Sequence, residues 1–264
     1  MAILPRARYY SPMLSALLGT LCLAVLAQDP LTPGRTLRDQ GRFEEAIEAY
    51  SLVLAAGKDV PTRETAHFER ADTYFRAARF EESHQDYEAF LLRFPQSERL
   101  VAAKQRLMEA ALELAKAGAT GYLGIPTGSG LGISHLRDAL RRYPREEFSS
   151  DFAQRLGKFF YERAEYDQAS EEFARVLELY GDSADAVLAL YMLGRCAEMR
   201  FDAVDYDAKP LREARRHYER FLDESEKLRR LPDPARGWVD RLLPAVKERL
   251  GGVYLNVEKA DSPF

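Results

Sequence analysis

Four histidines are the side chains of this sequence best suited to metal binding or proton transfer, because imidazole binds zinc and titrates near neutral pH. They stand at His67, His84, His135 and His217. None lies three to five residues from another histidine or a cysteine, which is the ligand spacing of common zinc sites. The sequence therefore predicts no metal site, and we expect these histidines on helix surfaces or at the edges of the core.

Adjacent carboxylates at Glu81-Glu82 and Glu171-Glu172 could serve as an acid and base pair. Such a pair needs an apolar pocket that moves one pKa toward the working pH, and no apolar segment accompanies either pair. We expect both pairs at turn and first-turn positions of helices, where negative charge favours the helix amino terminus. No serine stands in a Gly-x-Ser-x-Gly motif. The sequence thus contains no catalytic set, and we predict that the protein is not an enzyme.

A glycine-rich segment, KAGATGYLGIPTGSGLG at Lys116–Gly132, could cradle a phosphate at the start of the next helix. It lacks the Gly-Lys-Ser/Thr ending of a nucleotide-binding loop, and no strand precedes it. We interpret residues 117–132 as a flexible insertion between two helices, in which Tyr122, Leu123 and Ile125 are available to touch a partner. The sequence predicts neither a cofactor nor a small-molecule substrate.

The first 27 residues have the pattern of an export signal. Arg6 and Arg8 make a basic start, Met13–Leu26 is apolar and uncharged, and Val25-Leu26-Ala27 fits a cleavage site. The apolar run is shorter than the roughly 20 residues that span a membrane. We expect cleavage after Ala27 and a soluble, periplasmic or otherwise exported protein. The alternatives are lipidation of Cys22 and an uncleaved anchor. We expect membrane contact only if Cys22 is lipidated, and outer-membrane association is a further possibility.

The net charge of the sequence narrows the classes of partner. The net charge is −4, and loss of residues 1–27, which carry two arginines and no acid, makes it −6. An acidic chain does not match a nucleic-acid-binding protein, which requires a basic surface.

Once the expected signal is removed, Cys196 is the remaining cysteine, and its apolar neighbours predict a packed free thiol.

The segment Thr62–Ser97 has the pattern of one complete helix–turn–helix unit. Ala71 lies on a predicted first helix, Ser83 and Tyr87 on a second, and Pro95 ends it. A small residue followed four positions later by an aromatic one lets two helices approach closely while the ring fills the space beside them. The spacing recurs, and the copies fall at Gly41–Leu54, Ser150–Gly181 and Val187–Phe221, with a weaker one at Glu98–Pro144.

These copies resemble the tetratricopeptide repeat, whose unit is about 34 residues. Each hairpin alone leaves an apolar face uncovered, so the units must stack to bury a continuous core. The resemblance implies an all-α, right-handed superhelical solenoid of five hairpins over residues 28–264, closed by a capping helix at about 235–257. An irregular helical bundle is the alternative.

Three further segments resemble the BamD-type outer-membrane assembly factor family. They are FPQSERLVAAKQRLMEAALELAKA, the insertion FDAVDYDAKP before LREARRHYERFL, and the terminal AVKERLGGVYLNVEKA. That resemblance implies a periplasmic adaptor for barrel-assembly partners or nascent barrel proteins. The context of Cys22 departs from the family, because Leu21 precedes the cysteine where a small residue is expected.

The repeat resemblance also implies where binding occurs, since first helices of such repeats line a face that grips peptides or helices. By register, the predicted protein-binding residues are Phe68, Asp72, Phe75, Arg76, Lys158, Tyr161, Tyr191 and Arg195. Aromatic and arginine side chains are frequent interface anchors. We expect an exported scaffold that binds envelope proteins. A BamD-like assembly component and a helper of cell-wall or polysaccharide machinery remain alternatives.

Overall fold

The computed structural model describes residues 29–57, 59–120, 128–201 and 208–261, so the expected signal at 1–27 lies outside the described residues. Twelve α-helices and no strand occupy those ranges. The helices are α1 Thr32–Asp39, α2 Phe43–Ala55, α3 Val60–Arg76, α4 Phe80–Arg93, α5 Leu100–Thr120, α6 Gly130–Arg142, α7 Ser149–Glu162, α8 Tyr166–Leu179, α9 Asp185–Met199, α10 Lys209–Asp223, α11 Ser225–Leu228 and α12 Ala235–Asp261. The predicted all-α class is confirmed.

The chain divides into two compact units, Met1–Ser97 and Glu98–Phe264. The first unit contains the hairpins α1/α2 and α3/α4, and the second contains α5/α6, α7/α8 and α9/α10 followed by α11 and α12. Within each unit a hairpin packs against the next one along the chain. The five predicted hairpins are therefore all present. None of the described helices is long and apolar enough to cross a membrane.

Three of the hairpin turns share one backbone geometry. Gly41, Ala78 and Ala164 end the first helices of their hairpins with positive φ angles of 76°, 57° and 59°. In the last of these, the Ala164 N–H bonds to the Tyr161 carbonyl and the Glu165 N–H to the Phe160 carbonyl, each at 3.0 Å. This is the Schellman arrangement, which satisfies the free carbonyls at a helix end. It fixes the direction in which each second helix returns.

Replacing Ala164 by glycine is expected to stabilise the protein by about 0.5 kcal/mol, because a Cβ is unfavourable at positive φ. Replacing the exposed, helical Ala174 by glycine is the matched control and should destabilise it by about 1 kcal/mol. Urea denaturation of both variants measures the two changes. Destabilisation by the Ala164 variant as large as that of the control would contradict the strain argument.

Close contact between a glycine and an aromatic ring holds three of the hairpins together. Gly34 faces Tyr50 and Gly157 faces Phe173, so that a Cβ on either glycine would lie 2.7 Å from a ring carbon. Gly194 faces Tyr218 in the same way in the last hairpin. All three rings are fully buried. Tyr87, the aromatic residue of the Thr62–Ser97 copy, is also 0% exposed, as expected for a ring that fills the space between packed helices.

The glycine-rich segment is more ordered at its ends than the sequence predicts. Helix α5 continues to Thr120 and α6 begins at Gly130, whereas we expected helix only to Lys116 and from Ser134. The backbone of Gly132 lies against Ala111 and Ala115 of α5, so this glycine belongs to the helix contact. The insertion is therefore shorter than 117–132. Its centre, with Tyr122, Leu123 and Ile125, lies outside the described residues.

The long terminal helix α12 packs against the last hairpin of the second unit. Val239, Val246 and Val253 of α12 join a buried cluster with Tyr218 and Phe221 of α10. The helix extends to Asp261, a turn beyond the predicted end at Val257. Before it, α10 and the short α11 are separated at Glu224. Val246 lies at the centre of this buried face and Pro244 on the exposed side.

Two histidines are inside the core, so the prediction that all four lie at surfaces or core edges is wrong. His67 and His84 are 1% and 2% exposed. The His67 ring packs against Phe90 and Phe94, with ring centroids 6.3 and 6.1 Å away. Burial lowers the pKa of His67, which keeps the imidazole neutral in the folded protein.

Acidification from about pH 7.5 to about pH 5.5 is expected to destabilise the first unit through His67. The folded-state pKa is lowered, so protonation favours the unfolded chain. This contribution is complete above about pH 6.5 and is lost as the pH falls below it. His67→Leu should flatten the slope of unfolding free energy against pH. An unchanged slope in that variant would contradict the assignment.

Candidate protein-binding surface

The predicted binding residues of the second unit lie on its first helices, α7 and α9. The Arg195 guanidinium donates to the Tyr161 hydroxyl across the two helices at 2.9 Å. Lys158 pairs with Glu162 on its own helix at 3.5 Å, and its side chain is 67% exposed. Tyr191 is half-buried, with its ring centroid 6.4 Å from that of Tyr218. The structure therefore brings Tyr161 and Arg195 together.

Polar contacts join each first helix of the second unit to the next. Arg155 of α7 donates two hydrogen bonds to Glu109 of α5, at 2.7 and 3.1 Å. Tyr161 of α7 and Arg195 of α9 make the second contact. These hydrogen bonds from Arg155 lower the pKa of Glu109, so its carboxylate is ionised at neutral pH. We call the surface of α5, α7 and α9 around these contacts the first-helix face.

The contact between α9 and α12 centres on Glu198. Its carboxylate accepts from the Tyr218 hydroxyl at 2.8 Å and from Arg249 at 3.1 Å. Met199, the next residue, is 43% exposed at the end of α9. The repeat register predicted Tyr161 and Arg195 as binding residues but not Glu109, Glu198 or Arg249. Arg195 stands 34 residues, one repeat length, after Tyr161 in the sequence.

The predicted residues of the first unit lie on α3 and make local contacts. Asp72 and Arg76 pair with each other at 2.9 Å. The ring of Phe68 packs edge-to-face against buried Tyr87, with centroids 5.5 Å apart, so it contributes to the interior of its hairpin. Phe75 packs against Phe80 in the same manner at 5.3 Å. Of these four, Arg76 is the most exposed.

An open groove of about 920 Å³ lies between the second helices α6 and α8, a feature that sequence reasoning missed. Arg137, Arg141 and Arg175 line it together with Ile133 and Leu179. The groove forms because α6 and α8 flank α7 without packing closely on each other. Both polar and apolar side chains therefore line the groove, which lies on the side formed by the second helices.

Glu172 lies behind this groove, and its predicted place near the exposed start of a helix is wrong. The residue is in the middle of α8 and is 0% exposed. Arg137 donates to its carboxylate through Nε and Nη2 at 2.8 and 2.6 Å, and Arg175 donates at 3.2 Å. Two guanidinium groups therefore balance one buried carboxylate, which links α6 to α8.

Reactive groups do not converge elsewhere in the described part of the chain. Cys196 is buried and unbridged, and burial raises its pKa to about 11, which keeps the thiol protonated. Within residues 29–57, 59–120, 128–201 and 208–261, no three His, Cys, Asp or Glu side chains are placed to hold a metal ion. The predicted packed thiol is confirmed.

No model of a protein family and no curated protein matches this sequence. Solved structures align over most of it at low similarity. A crystal structure of the MamA protein is 19% identical, covers 75% of this chain and 91% of its own, and has a TM-score of 0.41. A tetratricopeptide repeat protein of Thermus thermophilus is 19% identical over 86% and 98%, with a TM-score of 0.35. One from Parabacteroides merdae is 14% identical over 88% and 92%, with a TM-score of 0.39. Similarity at these identities and TM-scores does not indicate a function. The description of the architecture therefore depends on the helices given above.

Proposed function

We propose that this protein is a scaffold that binds a protein partner on the first-helix face of its second unit. The contact between Tyr161 and Arg195 carries the proposal, because it places an aromatic and a guanidinium group side by side on neighbouring helices. Such groups dominate binding energy in many protein interfaces. Lys158 and Met199 add an exposed cation and an exposed apolar side chain.

Rigidity of this face supports binding. Arg155 with Glu109 and Arg195 with Tyr161 fix α5, α7 and α9 against one another through hydrogen bonds. A surface that is ordered before the partner arrives loses less conformational entropy on binding. The partner is therefore expected to fit onto a preformed surface.

A photo-crosslinking amino acid placed at Lys158 tests the proposal. The side chain is exposed on the proposed face, so irradiation in intact cells should yield discrete adducts with one or a few proteins. Glu171, exposed on α8, is the matched control position and should yield none of these adducts. Adding Arg195→Ala to the Lys158 probe should weaken the adducts, because Tyr161 loses its partner. Equal adducts from both positions, or adducts from Glu171 alone, would contradict the proposal.

We also propose that the partner is an envelope protein and that the scaffold is exported. The basic start at Arg6 and Arg8, the apolar run Met13–Leu26 and the segments that resemble BamD-type factors support this. Mass spectrometry of the purified protein should give an amino terminus at Gln28. An amino-terminal lipid on Cys22 would replace the soluble form with a membrane-anchored one, and an intact Met1 in a cytoplasmic fraction would contradict export.

A further inference from the structure

The terminal helix α12 has one face packed on the second unit and one face that nothing in the described residues covers. Gly237, Arg241, Glu248, Gly251 and Leu255 recur at helical spacing on the exposed side. They lie opposite the buried residues Val239, Val246 and Val253. Leu255 is 59% exposed. We call this exposed side the outer face of α12.

The outer face is open along its length. A Cβ added at Gly237, Gly251 or Gly252 would have no neighbouring atom within 4 Å. Among the described residues, neither Arg241 nor Glu248 has an ion-pair partner, although Asp240 beside them pairs with Arg229 at 3.0 Å. Two exposed opposite charges without ion-pair partners, with exposed Leu255 about two turns beyond Glu248, form a surface that can accept another helix.

The charges on this face are arranged with two-fold complementarity. If two copies of α12 lie antiparallel and cross between Pro244 and Ala245, Arg241 of each copy comes opposite Glu248 of the other. The same operation places Gly237 opposite Gly252, so that the backbones meet without side chains between them. A single chain therefore supplies both halves of the contact, as a two-fold symmetric interface requires.

We propose that a second copy of this chain binds the outer face of α12, forming an antiparallel, two-fold symmetric dimer. The complementarity of Arg241 with Glu248 under a two-fold operation is what selects a second copy as the occupant. A parallel pair in register would place arginine opposite arginine and glutamate opposite glutamate. The proposed partner binds residues of α7 and α9 and the dimer contact uses residues of α12, so the dimer can be tested without the proposed partner.

The expected interface is small. The paired stretch from Gly237 to Gly252 spans roughly 22 Å of helix, and one helix pair buries an area at the lower end of specific interfaces, about 1,000 Å². The dimer should therefore dissociate on dilution in the micromolar range. Its charges should also make it weaker at high salt, because exposed ion pairs are screened.

Sedimentation equilibrium of the purified protein from about 1 µM to about 500 µM tests the proposal. Wild type should pass from monomer to dimer over this range. Arg241→Glu and Glu248→Arg each place like charges opposite one another, so each should raise the dissociation constant at least tenfold. The double variant restores opposite charges and should dimerise as wild type does. An equimolar mixture of the two single variants should form heterodimers, because their reversed charges are complementary.

Arg216→Glu, an equal reversal at an exposed site on α10, is the matched control and should leave the dimer intact. Circular dichroism should give the wild-type helix content for every variant, since these side chains are exposed. A protein that stays monomeric at the highest concentration overturns the proposal, as the face would then serve another partner. A dimer that neither single reversal weakens, or that the double variant fails to restore, also overturns it.

Discussion

Replacing Phe173 by alanine is expected to lower the free energy of unfolding by about 3–5 kcal/mol, which is the range for removing a buried aromatic ring. The ring is 0% exposed and lies against Gly157 of the neighbouring helix α7. A glycine cannot move a side chain into the space that the ring leaves, so the cavity persists. Urea denaturation followed by circular dichroism measures the change.

Leu179→Ala is the control for this variant, because Leu179 lies on the same helix and is 56% exposed. Its cost should stay below about 1 kcal/mol. The reciprocal change, Gly157→Ala, should also destabilise the protein, since its Cβ would overlap the Phe173 ring. A loss below about 1 kcal/mol for Phe173→Ala would mean that the contact of α7 with α8 is not the packing unit we describe.

Replacing Glu172 by alanine is expected to cost about 2–3 kcal/mol. The carboxylate is fully buried, and its removal leaves Arg137 and Arg175 facing each other without a counter-charge. Breaking a buried pair by removing one partner costs about 3–5 kcal/mol in general. We expect a smaller value because the Arg137 and Arg175 side chains are 34% and 42% exposed and can turn toward water.

Glu171→Ala is the matched control, because it removes the same side chain from the adjacent, exposed position of α8. Its effect should remain within about 0.5 kcal/mol. Thermal denaturation of the two variants side by side measures the difference. Equal effects would show that burial of Glu172 between the two arginines has no energetic consequence.

Much of the hairpin architecture follows from the sequence alone. A small residue four positions before a buried ring, as in Ala169 and Phe173, specifies the packed face of a second helix. The turn chemistry at Gly41 is equally local, since glycine adopts positive φ readily. The pattern of the Thr62–Ser97 copy likewise predicted a second helix that contains Ser83 and Tyr87 and ends before Pro95, and α4 occupies Phe80–Arg93. Local propensity and hydrophobic pattern agree in these segments, so the sequence is sufficient.

Part of the binding surface was also within reach of the sequence. Tyr161 and Arg195 stand one repeat length apart, and equivalent positions on successive first helices are neighbours in a stack. The partners Glu109 and Arg249 were missed because insertions change the spacing, so the Arg155–Glu109 pair is 46 residues apart and the Arg249–Glu198 pair 51. Repeat spacing does not predict contacts between helices where an insertion interrupts the repeat.

The tertiary structure alone decided which charged residues are buried and which surfaces are open. Glu171 and Glu172 are adjacent and equivalent in the sequence. The orientation of α8 against α6 and α7 in the folded protein buries Glu172 and leaves Glu171 exposed. Likewise, the pattern of α12 predicts a helix with one apolar face, but only the packing of Val246 inward leaves Arg241 and Glu248 uncovered. Short-range pattern specifies which elements form, because turn residues and hydrophobic periodicity act over a few neighbouring residues. Burial of a particular side chain depends on how distant elements meet, and that is a property of the packed molecule.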